Sequence, residues 1–106
     1  MSRFARRKDS NHEAIVTALR ARGASVETVE SGHAGVPDLL CGYLGVTELL
    51  EVKDGAKPPS ARKLNADQLT WHRQWRGRPV VVVKSVDEAL AVLARIRAGV
   101  TSSEVA

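Results

Sequence analysis

The sequence has one cysteine, few aromatic residues and no long apolar run. A single cysteine, Cys41, excludes an internal disulfide and fits the reducing cytoplasm, where we expect the protein to reside. Because Cys41 lies in an apolar run, we expect it to be a small buried side chain. No apolar run approaches the roughly 20 residues that span a bilayer, so no membrane association is expected. Glycine-rich nucleotide-binding motifs are also missing, and no nucleotide cofactor is implied.

The charge balance favours an anionic partner. The formal net charge is +4 and the isoelectric point is about 9.7, which places nucleic acid first among partners. A chain of 106 residues allows one domain, which we place at 10–98, between a flexible basic arm (1–9) and a frayed tail (99–106). The arm is either a solvated tail or a contact for phosphates. The candidate DNA-binding cations lie in the arm and in a later loop, and they are Arg6, Arg7, Lys8, Lys57, Arg62 and Lys63.

Hydrophobic periodicity and capping residues predict the order α-β-β-β-α-β-α, an α/β fold with one mixed central sheet flanked by helices. Adjacent prolines, Pro58 and Pro59, keep the long connection over 54–63 free of helix and central strand. Four consecutive valines, 80–83, predict a fully buried strand. The predicted elements are a helix from Ser10 to Gly23, strands over 24–30, 38–43 and 46–53, a helix from Asn65 to Gly77, a strand over 80–83 and a helix after Ser85.

Two short stretches carry the polar residues that most need an explanation. Asp38 follows Pro37 at the start of the second predicted strand, and Glu51-Val52-Lys53 ends the third. Alternate residues of a strand share a face, so Glu51 and Lys53 point the same way. An acid and an amine at the end of an apolar strand are costly to bury without partners. A cross-strand ion pair beside a turn aspartate, or a metal site, would supply those partners.

Pro37-Asp38 followed by Glu51-x-Lys53 resembles the PD-(D/E)XK nuclease superfamily, and the predicted element order matches its restriction-endonuclease-like core. The sequence Gly35-Val36-Pro37-Asp38 resembles the corresponding motif of the VRR-NUC domain and of the archaeal-type Holliday-junction resolvases. The resemblance implies a Mg²⁺ ion, for which Mn²⁺ should substitute, held by Asp38, Glu51 and the backbone carbonyl of Val52. It also implies that Lys53 lies beside the attacking water and the scissile phosphate. Asp38, Glu51 and Lys53 are thus the expected catalytic residues.

This resemblance implies a metal-dependent endonuclease that hydrolyses phosphodiester bonds in branched or structured DNA. No separate element for base readout fits in the chain, which favours recognition of DNA shape. Two alternatives stay open. One is a less selective nicking or repair nuclease, and the other is a non-catalytic basic DNA-binding module on the same fold.

Three further residues have both a functional and a local explanation. Glu13 is a candidate metal ligand, often acting through water in the resembled resolvases, but it also fits a capping box begun by Ser10. Gln68 is a candidate supporting residue of the site, and it equally fits the cap of the second helix. Ser31 resembles a serine that precedes the Pro-Asp of the resolvases, although a plain turn explains it too. Glu88 has the same capping register and no site within reach.

A homodimer is expected, because resolving a four-way junction needs two symmetric nicks and a domain of this size offers one metal site. Trp71 and Trp75 are spaced four apart in the second predicted helix and are candidate interface anchors or core residues. The three histidines do not have zinc-binding spacing with Cys41.

Overall fold

The computed structural model describes residues 11–99, and it has the predicted α/β architecture of a mixed sheet flanked by helices. The predicted arm, including Arg6, Arg7 and Lys8, and the predicted tail after Gly99 lie outside the described residues. The elements are α1 (His12–Ala21), β1 (Ser25–Thr28), β2 (Leu39–Tyr43), β3 (Val46–Val52), a 3-10 turn (Pro59–Arg62), α2 (Ala66–Gln74), β4 (Val81–Val83) and α3 (Val86–Arg97).

The sheet has the strand order β1-β2-β3-β4. The first three strands form antiparallel neighbours, and β4 runs parallel to β3. A parallel neighbour needs a crossover connection, which the chain between β3 and β4 supplies with the 3-10 turn and α2. Leu39 at the start of β2 pairs with Leu50 near the end of β3, so Asp38 falls beside the last residues of β3.

The side chains of β3 divide between the two faces of the sheet. Leu50 and Val52 are buried in the hydrophobic core, which α1 and α3 cover. Glu51 and Lys53 project to the other face, toward α2. Cys41 is buried in the same core, as predicted, and burial together with the nearby carboxylate of Glu48 raises its pKa to about 11. This alternation therefore places Leu50 and Val52 in the core, and it places Glu51 and Lys53 on the face toward α2.

Glu48 is an exception to the apolar character of the core face. It is only 3 % exposed, and its Oε2 lies 2.7 Å from Nη2 of Arg78. Arg78 precedes β4, so this ion pair lies well before the end of β3 at which Glu51 and Lys53 project. This ion pair joins β3 to the segment before β4, and the sequence pattern did not predict it.

The prediction that the valine strand is fully buried is wrong. In β4 only Val83 is buried, while Val81 and Val82 are half-buried. The reason is topological: β4 is an edge strand of the sheet, so it has a neighbour on one side only.

The prediction that the second helix runs to Gly77 is also wrong. It ends at Gln74, and Trp75 has extended backbone (φ −65°, ψ 129°), so the two tryptophans do not lie on one helix. They nevertheless stack, with ring centroids 4.9 Å apart and an interplanar angle of 16°. The indole of Trp75 also covers Gly77, where an added Cβ would lie 2.6 Å from Nε1. Packing of the indole against this glycine thus accompanies the early end of the helix.

The predicted start of α1 needs a similar correction. The N-cap is Asn11 rather than Ser10, and it makes no side-chain capping bond, which places Glu13 at the second helical position. The Asn11 amide instead donates to the backbone carbonyls of Lys53 and Lys84, both at 3.0 Å. These long-range bonds satisfy carbonyls beyond the last residues of β3 and β4, and they take the side chain away from its local cap. The predicted caps Asn65 and Ser85 are confirmed.

Among residues 11–99, no helix combines the length and the apolar character that crossing a bilayer requires. The longest helix, α3, has 12 residues.

Candidate active site

The loop before β2 places Asp38 against β3. Gly35 has a left-handed backbone (φ +88°), and an added Cβ there would collide with the carbonyl oxygen of Asp67 on α2. The loop therefore packs directly on α2, and only glycine fits at this position. Pro37 is fully buried after it. The backbone N–H of Val52 donates to Oδ2 of Asp38 at 2.8 Å, so this carboxylate lies beside the end of β3.

Glu51 is a buried carboxylate held by α2. It is 1 % exposed. Nε2 of Gln68 donates to its Oε2 at 3.0 Å, and Nε2 of His72 lies 3.5 Å from its Oε1. A buried carboxylate is costly unless it is hydrogen-bonded or binds a cation. The buried carboxylate of Glu51 is therefore a charge that needs compensation by hydrogen bonds or by a bound cation.

Lys53 is fixed at both its backbone and its side chain. Its N–H donates to the carbonyl of Val83 at 2.9 Å, and its own carbonyl accepts from Asn11. Its Nζ donates to Oε1 of Gln68 at 3.0 Å. The ammonium is thus held close to Glu51 through one shared amide, rather than left to move in solvent.

Gln68 takes part both in the cap of α2 and in hydrogen bonds to Glu51 and Lys53. In the capping box of α2, its N–H donates to Oδ1 of Asn65 and its Oε1 accepts from the Asn65 N–H. The same side chain donates to Glu51 and accepts from Lys53. The N-terminus of α2 therefore positions the acid and the lysine together, which the sequence alone did not predict.

His72 is a site residue that the sequence analysis missed. It lies one helical turn after Gln68, and this i, i+4 spacing was the signal that could have found it. Its side chain is only 13 % exposed. Burial and the positive charge of Lys53 lower the pKa of His72, an effect that the carboxylate of Asp38 opposes. His72 therefore lies against Glu51 and within electrostatic reach of Lys53 and Asp38.

The remaining acidic and hydroxyl candidates lie outside this hydrogen-bonded group. Glu13 is exposed on α1. Oγ of Ser31 accepts from the backbone N–H of His33 at 3.0 Å, which is the geometry of the plain turn. Glu88 accepts from the backbone N–H of Lys84, and its own N–H donates to Ser85, so it has the local capping role expected of it.

The cations of the connection after Lys53 lie at its surface. Lys57 and Lys63 are exposed, and Arg62 at the end of the 3-10 turn is half-buried. The start of the connection is ordered by Asp54, whose Oδ1 accepts from the N–H of Ala56 at 2.9 Å. The site is thus followed directly by a positively charged segment.

The residues present fit a hard divalent cation. Asp38, directly before β2, and Glu51, near the end of β3, offer carboxylate oxygens, and the carbonyl of Val52 lies in the same stretch of β3. Within residues 11–99, no three histidine, cysteine, aspartate or glutamate side chains form a group that could hold a metal, so Glu13 does not complete one with Asp38 and Glu51. Mg²⁺ suits such a set because it is usually bound by one or two carboxylates together with water and substrate phosphate.

The fold and the placement of these residues define a nuclease fold of the PD-(D/E)XK type. A solved structure described as a VRR_NUC domain matches this chain with a TM-score of 0.60 and 26 % sequence identity, over 81 % of this chain and 97 % of that one. The chain therefore has a VRR-NUC-like fold, as its sequence motifs indicated. Comparisons of the sequence with protein-family models and with curated proteins find no match.

Proposed function

We propose that the protein is a metal-dependent DNA endonuclease that hydrolyses phosphodiester bonds in branched or structured DNA. The observation that carries the proposal is the single amide of Gln68, which holds the buried carboxylate of Glu51 and the ammonium of Lys53. A binding module has no need for a buried acid beside a fixed lysine, since phosphate contact is served by exposed cations alone. The similarity to a VRR_NUC domain supports a nuclease.

Each residue has a distinct task in this proposal. Asp38, Glu51 and the Val52 carbonyl would hold Mg²⁺ or Mn²⁺, whereas Glu13 is exposed on α1 and takes no part in this set. A divalent cation bound there supplies neutralisation of phosphate charge. Lys53 stabilises the negative charge that develops on the phosphate oxygens in the transition state. Gln68 holds the side chains of Lys53 and Glu51 close together through its amide. Ser31 shapes the turn before Asp38.

In this proposal, DNA is bound by the basic segments that precede and follow the catalytic candidates in the sequence. Lys57, Arg62 and Lys63 follow the site directly, and the arm with Arg6, Arg7 and Lys8 adds further phosphate contacts. Such contacts carry no base information, which fits recognition of DNA shape rather than sequence.

The single cysteine is buried and the chain has no need of a disulfide, which suits a cytoplasmic location.

The experiment that tests the activity is incubation of the protein with linear, flap and four-way-junction DNA of matched length. We expect cleavage with Mg²⁺ or Mn²⁺, none with EDTA, and faster cleavage of the branched substrates than of the linear duplex. Equal cleavage of all substrates would favour the nicking or repair alternative. Tight binding without cleavage under every metal condition would favour the non-catalytic module.

We further propose that the protein acts as a homodimer, since two symmetric nicks need two sites. The stacked pair Trp71 and Trp75 is the candidate anchor, and Trp75 is 44 % exposed within residues 11–99. Light scattering at micromolar concentration should give about twice the mass of 11.5 kDa. Trp75→Ala should shift the distribution toward the monomer. A mass near 11.5 kDa that junction DNA does not change would exclude the dimer.

A further inference from the structure

The carboxylate of Glu51 has one nitrogen of α2 beside each of its oxygens. Gln68 donates to Oε2 at 3.0 Å, and Nε2 of His72 lies 3.5 Å from Oε1. Residues four apart share one face of a helix, so α2 presents the two side chains to the same carboxylate. The role of Gln68 is explained by its hydrogen bonds, whereas nothing described so far assigns a role to His72.

The chemistry of the two groups determines which nitrogen of His72 carries a proton. A bare Nε2 would place its lone pair close to a carboxylate oxygen, and the two acceptors would repel each other. A proton on Nε2 turns the contact into an N–H donor facing an anion, in the neutral ring as in the charged one. The separation of 3.5 Å is longer than an ordinary hydrogen bond, but hydrogen bonds around catalytic groups often shorten when the complex forms.

We propose that His72 is a positioning residue that, with Gln68, fixes the carboxylate of Glu51 in the orientation that binds the metal ion. The inference rests on the proposed function, because it assigns His72 a task in that metal site. Residues that orient a metal ligand contribute to metal affinity without touching the ion. His72 thus acts through Glu51 and leaves the chemical step to Lys53.

The test compares three substitutions of His72 by isothermal calorimetry with Mn²⁺ in the absence of DNA. By bond count, the amide nitrogen of glutamine matches Nε2 of histidine, whereas that of asparagine matches Nδ1. We therefore expect His72→Leu and His72→Asn to weaken Mn²⁺ binding by about 10- to 100-fold, and His72→Gln to stay close to wild type. His33→Leu, in an exposed turn, is the control and should leave the affinity unchanged.

A second readout separates positioning from general damage to the fold. Because His72 acts on metal affinity, cleavage by His72→Leu should be slow at low Mg²⁺ and should return to near the wild-type rate when Mg²⁺ saturates. If folded His72→Leu binds Mn²⁺ like wild type, the inference is wrong. Equal losses in His72→Gln and His72→Asn would overturn the hydrogen-bond account, a comparison that stands even if the leucine variant proves unstable. Absence of Mn²⁺ binding and cleavage in the wild type would instead overturn the proposed function, and this inference with it.

Discussion

Replacement of Lys53 with alanine is expected to lower the cleavage rate by about 100- to 1,000-fold while metal and DNA binding persist. The reason is that Nζ of Lys53 is held 3.0 Å from Gln68 Oε1, in the part of the site where the phosphate would gain negative charge. An interaction made mainly in the transition state lowers kcat when it is lost and leaves KM nearly unchanged. Single-turnover cleavage and a DNA-binding isotherm on the same preparation measure the two quantities.

The fold should tolerate this change, because Gln68 Oε1 keeps a second donor in the backbone N–H of Asn65. Lys63→Ala serves as the matched comparison. Lys63 is exposed in the connection after the site, so its loss should weaken DNA binding and leave kcat close to wild type. A Lys53→Ala protein that cleaves at the wild-type rate would remove Lys53 from the mechanism.

The sequence was sufficient for the fold because its local signals agree with one another. The alternation at the end of β3 and the helix starts predicted at Asn65 and Ser85 all indicate the same element order. Periodicity says which face a residue occupies, and for Glu51 and Lys53 it was correct.

Errors arose where a tertiary contact outweighed the local pattern. Asn11 makes no capping bond and instead bridges the ends of β3 and β4. Helix α2 ends before Trp75, whose indole packs on Gly77. Burial of the valine strand depended on its place at the edge of the sheet, which composition does not encode. His72 was overlooked because its role depends on its contact with Glu51. The two residues are 21 positions apart, so the sequence alone did not show that they meet.

Asp38→Asn and Glu51→Gln are each expected to abolish cleavage and to weaken metal binding by more than about 100-fold, while the protein stays folded. Both amides keep an oxygen that can accept the existing bonds, from the Val52 N–H at position 38 and from Gln68 at position 51. Removing the charge at position 51 also removes the cost of burying an ionised group that is 1 % exposed. The free energy of unfolding of the metal-free Glu51→Gln protein should therefore equal or exceed that of wild type.

Glu48→Gln is the control that makes this expectation specific, since it neutralises a second buried carboxylate on the same strand. Glu48 contacts Arg78 at 2.7 Å on the core face, away from Asp38 and Lys53. Its neutralisation should lower the free energy of unfolding by about 1–3 kcal/mol through loss of a charge-assisted hydrogen bond, and should leave metal affinity unchanged. Calorimetric Mn²⁺ titration and urea unfolding of both variants measure the two effects. We expect the free energy of unfolding to fall in Glu48→Gln but not in Glu51→Gln, and metal binding to be lost only in Glu51→Gln. That result would show that Glu51 serves metal binding and that Glu48 serves the stability of the fold. Unchanged metal affinity in Glu51→Gln would exclude it as a ligand.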